Sequence, residues 1–184
     1  MTGIPQQTDG PTTFLARAEI RIDATPEQVY DTVSDLGRSG EWSPECTGGT
    51  WVHGEPRTVG AIFRGDNLRS REVVAWAPVI RGEWHTESEV LEAVPGRVFR
   101  WCVLNSARGR QESVWSFEIE PEADGGCRLI HHYRLGRLTE GLAKIFESGL
   151  DEEGRKRFVA DWNAKLVEDV RQTVERIKVV VEKS

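Results

Sequence analysis

The C-terminal segment constrains the fold more than any other part of the chain. From about Glu153 to Val181, apolar residues fall at Phe158, Trp162, Leu166, Val170, Val174, Ile177 and Val181. The steps are 4, 4, 4, 4, 3 and 4, which draw one stripe along an α-helix, with Arg, Lys, Glu and Asp between. At about 1.5 Å per residue this helix runs roughly 40 Å. A helix with a single dry stripe must lie on a single dry surface, and the residues before it supply one.

That surface is a sheet. Ala16, Ala18, Ile20 and Ile22 alternate with Arg17, Glu19, Arg21 and Asp23, the period of a strand with one wet face. Further strand-like runs lie near 49–53, 60–67, 82–93, 97–104, 112–120 and 127–135. Pro95-Gly96 and Asp124-Gly125-Gly126 join neighbours as hairpin turns, and Ala107-Arg108-Gly109-Arg110 separates another pair. Such short connections favour antiparallel pairing. After the first strand, Thr25-Pro26-Glu27-Gln28 carries an N-cap, a proline at the first helical position and a capping-box glutamine, so a short helix follows and ends near Ser34. Asp35 reads as the cap of a second short turn, and Trp42 sits in the loop beyond it. We therefore expect an α+β architecture: seven antiparallel strands curved around the terminal helix, with two short helices after the first strand. Where helix and sheet diverge, a pocket opens. Residues 1–13 read as a flexible tail before one domain spanning 14–184.

Composition removes several classes. Against 24 Lys+Arg stand 30 Asp+Glu, a net charge of −6 with no basic block, so nucleic acid is not an expected partner. The longest apolar stretch, Val73 to Ile80, is too short to span a bilayer, and no secretory signal opens the chain. Three widely spaced cysteines, Cys46, Cys102 and Cys127, make no disulfide framework and point to a reducing cytoplasm. Motifs for a phosphate loop, a dinucleotide, a nucleophile elbow or a zinc protease are missing, so no metal or cofactor is expected. Monomer and homodimer are both compatible with the chain. Seven Trp against two Tyr and one Met is the unusual figure, pointing to a bulky core or an aromatic-lined cavity.

Alternation sorts these aromatics. Trp84, Thr86, Ser88 and Val90 share the less charged face of their strand, which we place inward, with Phe99, Trp101 and Val103, then Trp115, Phe117 and Ile119, then Leu129, His131 and Tyr133. Aromatic walls with a few polar groups are the make-up of a small-molecule pocket, although the same side chains also fill a solid core. Phe158 and Trp162 of the long helix and Trp42 join the candidate ligand-binding set, Trp42 either closing the cavity or plugging the core. His131, Tyr133 and Ser88 are the candidate acid/base groups. His131 and His132 face opposite sides and cannot share a metal. The run at 60–67 leaves its inner face open between Ile62, Arg64 and Asp66 and the alternative of Phe63, Gly65 and Asn67. If Arg64 or Arg100 points inward, it would hold a carboxylate or enolate. The segment 136–154, with its glycines and the apolar Leu138, Leu142, Ile145 and Phe146, is either a lid or a plain connection.

The order of elements, together with Ala24-Thr25-Pro26-Glu27-Gln28-Val29-Tyr30, Ser34-Asp35-Leu36, Glu41-Trp42-Ser43-Pro44-Glu45, Val59-Gly60-Ala61-Ile62-Phe63 and Arg97-Val98-Phe99-Arg100-Trp101, resembles the START/Bet v 1-like (SRPBCC) superfamily and its helix-grip fold. More narrowly it resembles the bacterial polyketide cyclase/dehydrase-like branch. The resemblance spans about residues 14–181 and implies three functional classes. The first is a binder or carrier of a small hydrophobic molecule, polyketide-, lipid- or isoprenoid-like. The second is an aromatase/cyclase-type enzyme that closes and dehydrates a poly-β-keto chain. The third is a co-chaperone-like interaction module.

Overall fold

The structure is a computed structural model and describes residues 12–184. Strand β1 (Phe14–Ile22) leads into helix α1 (Pro26–Val33) and a 3-10 turn (Leu36–Glu41). Strands β2 (Cys46–His53), β3 (Ile62–Arg69), β4 (Gly82–Val94), β5 (Val98–Leu104), β6 (Arg110–Pro121) and β7 (Cys127–Leu135) follow, then α2 (Glu140–Glu147) and α3 (Glu152–Glu182). The seven strands form one antiparallel sheet in the order β1-β7-β6-β5-β4-β3-β2. The expected α+β helix-grip architecture is the observed one. The tail read over 1–13 lies outside the described residues except for Thr12 and Thr13. Thr13 is tied to the sheet, its N–H donating to the Leu135 carbonyl at 2.8 Å and its hydroxyl to the Gly136 carbonyl at 2.7 Å.

Local chemistry explains where α1 and α3 begin. In α1, Gln28 N–H donates to Thr25 Oγ1 at 3.2 Å while Thr25 N–H donates to Gln28 Oε1 at 2.9 Å, the reciprocal pair of a capping box. Asp35 stands at the cap position of the 3-10 turn without a side-chain hydrogen bond to it. Asp151 caps α3 by accepting from Gly154 N–H at 2.7 Å, with Glu152 and Glu153 in the positive first turn. All seven residues of the predicted stripe on α3 are buried.

The sheet bends where its register slips. A bulge lies between Val90 and Glu92 of β4 opposite β5, and another between Cys46 and Gly48 of β2. At Gly49, φ is +148° and a Cβ would stand 2.0 Å from the Arg64 carbonyl oxygen, so β2 can approach β3 only with glycine there.

The curved sheet and α3 meet in two apolar clusters. The first joins α1 and the 3-10 turn to Val174, Ile177 and Val181 of α3 and to Ile22, Phe99, Ile119 and Leu129 of the sheet. The second gathers Phe158, Trp162, Leu166 and Val170 of α3 with Phe14, Ala16, Tyr133 and Leu135 and with Ala77 and Val79. Those last two belong to the connection between β3 and β4, which is fastened by Arg81. Its guanidinium donates to the carbonyls of Val74 at 2.8 Å, Ala77 at 2.9 Å and Val79 at 3.1 Å. Among the described residues no helix is long and apolar enough to cross a membrane.

Candidate functional site: an aromatic cavity with an ionic corner

A cavity of about 920 Å3 lies between the concave face of the sheet and α3. Close-packed interiors leave few voids larger than a water molecule, so space on this scale is built into the fold. Its volume is that of a small-molecule site.

The inward assignment by alternation places most candidates on this wall. Trp84, Thr86 and Ser88 of β4, Trp101 and Val103 of β5, Trp115 and Phe117 of β6, and His131 and Tyr133 of β7 all line the cavity. Trp162 lines it from α3. Trp42 does both things expected of it: it is 2% exposed in the first apolar cluster and also forms cavity wall.

Two candidates do not line it. Phe99 is fully buried, set edge-on to Tyr30 with centroids 6.3 Å apart and next to Trp101 at 5.8 Å. Phe158 is also fully buried, held by Phe146, Trp76 and Trp162. Both face inward, but at positions where the neighbouring elements close on them.

The open question on β3 resolves toward Phe63, Gly65 and Asn67, which are buried and line the cavity, whereas Arg64 and Asp66 are exposed. Arg100 is on the outer face, paired with Glu92 at 2.5 Å and Glu118 at 3.3 Å. Neither Arg64 nor Arg100 reaches the cavity. Two other arginines line it: Arg108 at the mouth, and Arg69, at the end of β3 and 8% exposed.

Arg69 anchors an ionic corner that sequence reading missed. Its Nε and Nη2 donate to Glu45 Oε1 and Oε2 at 2.8 and 2.9 Å, and Nη1 donates to the Ile80 carbonyl at 3.0 Å. The guanidinium lies 4.5 Å from the Trp84 ring centre and 5.1 Å from that of Trp162. Lys165 Nζ stands 2.8 Å from Glu45 Oε1 and 2.6 Å from Asp169 Oδ2. Burial pushes the Glu45 carboxyl up, but the Arg69 and Lys165 cations outweigh it and hold the group below its usual range. Asp169 moves the other way, raised by burial with Lys165 opposing. The only signal in the sequence is the i, i+4 pairing of Lys165 with Asp169, which is equally a solvated helix pair.

The opposite wall is neutral. His131 is 3% exposed, stacked on Phe117 with centroids 4.2 Å apart. Its Nδ1 is 3.0 Å from the Ser116 carbonyl oxygen, which can only accept, so Nδ1 carries the proton and Nε2 is an acceptor. Burial pushes its pKa down to about 4. The Tyr133 hydroxyl is 3.1 Å from Ser113 Oγ, and burial pushes it up to about 12. His132 faces out, 3.9 Å from Glu118 Oε2.

The segment proposed as a lid sits at the rim. Its apolar Leu138, Leu142, Ile145 and Phe146 all pack into the second cluster, and Leu142 and Ile145 of α2 also line the cavity. The Glu140 carboxylate accepts from Ser106 N–H and Oγ–H, both at 2.9 Å, and Glu140 N–H donates to Gln111 Oε1 at 2.7 Å. These bonds fasten the start of α2 to the turn between β5 and β6 and to the start of β6.

A curved antiparallel sheet gripping a C-terminal helix across an aromatic-lined space defines a helix-grip protein of the SRPBCC type. The chain belongs to the family described as polyketide cyclase / dehydrase and lipid transport, whose model matches residues 13–182. Among solved structures it is similar to the polyketide-cyclase-like protein Cgl2372 of Corynebacterium glutamicum, at 25% identity, with 97% of this chain and 94% of that one covered and a TM-score of 0.62. It is also similar to the di-domain ARO/CYC protein BexL of the BE-7585A biosynthetic pathway, at 18% identity, covering 92% of this chain and 50% of that one, with a TM-score of 0.60. A third likeness is to SA2116 of Staphylococcus aureus, of unknown function, at 13% identity, 92% and 94% coverage and a TM-score of 0.61. The last two are likenesses of fold alone. No curated protein sequence matches the chain.

Proposed function

We propose that the chain binds a small, largely apolar molecule, of the polyketide, lipid or isoprenoid kind, between its sheet and α3. The observation that carries this reading is the cavity of about 920 Å3 with indole and phenyl rings on its walls. A guest burying about 300 Å2 of apolar surface there would gain roughly 7 kcal/mol before association costs, at about 25 cal/mol per Å2. The three free thiols suit a reducing cytoplasm.

The second reading is a cyclase that folds a poly-β-keto chain for aldol closure and dehydration, an activity that the family description names beside lipid transport. Its acid/base candidates are poorly matched to neutral pH. A group works best as general acid or base when its pKa lies near the working pH, whereas His131 sits at about 4 and Tyr133 at about 12. Cyclisation in this cavity would therefore rest on positioning the chain rather than on those two groups.

The test is a fluorescence titration with 1-aminoanthracene, a neutral aromatic probe, against the wild type and Val103→Trp. Val103 is on the cavity wall, and an indole there occupies the space of the guest. We expect saturable binding to the wild type and at least a tenfold loss in the variant, with the thermal melt retained. Equal binding by both proteins, or none by the wild type, would rule the reading out.

A further inference from the structure

Among the described residues, four cations and four carboxylates line the cavity, and each of them is paired. At the mouth, Arg108 meets Glu87 at 2.7 Å and Lys144 meets Glu140 at 3.7 Å. Inside, Arg69 meets Glu45, and Lys165 meets both Glu45 and Asp169. Among the described residues no uncompensated positive charge faces the guest, and the whole chain carries −6.

The inner corner is more specific than its charge count. Three of the five donors on Arg69 are taken, two by Glu45 and one by the Ile80 carbonyl, and its guanidinium lies within about 5 Å of two indole rings, so its side-on fork is closed to a guest. An ammonium has three N–H donors, and the carboxylates of Glu45 and Asp169 engage two of those on Lys165. The third donor is taken by neither carboxylate, and Nζ stands on the cavity wall 5.1 Å from the centre of the Trp162 ring. A neutral oxygen can accept from it at little electrostatic cost. A third carboxylate would be pressed against two of its own sign in a partly desolvated corner.

We propose that the Lys165 corner receives the carbonyl or hydroxyl oxygen of an uncharged, otherwise apolar guest, and that the balanced ionic cluster turns away guests ending in a carboxylate. This rests on the cavity reading above and names the polar end of its ligand. Free fatty acids are thereby disfavoured, and ketones, esters and alcohols favoured.

The test uses three naphthalenes of similar shape, 2-acetylnaphthalene, 2-naphthoate and 2-ethylnaphthalene, titrated at neutral pH by quenching of tryptophan fluorescence. Because the three partition differently from water, the readout is the change in their affinity ratios between wild type and variant. Asp169→Asn removes one negative charge beside Lys165, and the acetylnaphthalene-to-naphthoate affinity ratio should move at least fivefold toward naphthoate. Lys165→Met removes the donor, and acetylnaphthalene should weaken about tenfold relative to ethylnaphthalene. The second variant keeps the test decisive if the first does not fold. Ratios that do not move, or a wild type that binds naphthoate as tightly as acetylnaphthalene, would overturn this inference and leave the cavity reading standing. Failure of all three to bind the wild type would end both.

Discussion

Replacing Arg69 by Met is the most direct probe of the ionic corner. The change keeps an unbranched apolar stem and removes the fork on Glu45, the bond to the Ile80 carbonyl and the cation between Trp84 and Trp162. Breaking a buried pair by deleting one partner costs about 3–5 kcal/mol, and because Glu45 keeps Lys165 the lower end applies. The stranded carbonyl adds about 1 kcal/mol. We expect a total near 4 kcal/mol, a large share of the roughly 5–15 kcal/mol that holds a domain together. With a urea slope of about 2 kcal/mol/M, the midpoint should fall by about 2 M. The assay is urea unfolding at pH 7 followed by tryptophan fluorescence, with Arg100→Met as the reference. Arg100 pairs with two carboxylates on the outer face, its side chain is 29% exposed, and its loss should cost less than about 1 kcal/mol. The pH dependence has a definite sign. The Glu45 carboxyl is held below its ordinary value of 4.5, so its contribution is full above that pH and is lost as the pH falls toward the folded value. The gap between wild type and R69M should therefore narrow below pH 4.5. An R69M protein within about 1 kcal/mol of wild type, or no weaker than R100M, would refute the account.

Two further predictions concern the walls. His131, pushed to about 4 by burial, should show by 15N NMR at pH 7 a protonated Nδ1 and a bare Nε2; a midpoint near 6.5 or a proton on Nε2 would contradict the assignment. Its unfolded state binds the proton first, so its contribution is full above about pH 6.5 and is lost as the pH falls toward 4, a slope that His131→Phe should flatten. Gly49→Ala should cost more than about 3 kcal/mol in urea unfolding, because its methyl would meet the Arg64 carbonyl at 2.0 Å, whereas Gly60→Ala, at φ +86° in open space, should cost about 1 kcal/mol; equal costs would mean that dihedral strain alone matters at Gly49.

What could be read in advance divides along physical lines. Alternation is a local property, so the inward set on β4 to β7 and the stripe on α3 were legible from spacing alone. Whether an inward ring meets packed neighbours or open space is not local. Phe99 and Trp101 differ by two positions on one strand, yet the first is sealed in the apolar cluster beside Tyr30 while the second lines the cavity. On β3 both faces carry polar residues, and only the pairing with β4 shows Phe63, Gly65 and Asn67 opposite Ser88, Thr86 and Trp84. The ionic corner was least accessible, because charged side chains read as solvated until distant partners meet, and Glu45, Arg69 and Lys165 come from the loop before β2, the end of β3 and α3.

The long terminal helix changes its job along its length. Toward its end, Val174, Ile177 and Val181 are driven into the first apolar cluster like a keel, while Trp162, Lys165, Leu166, Asp169 and Thr173 roof a hollow. Substitutions walked down this one rod should therefore pass from altered guest preference to outright unfolding, so that chemical selectivity can drift at its near end while the far end keeps the molecule upright.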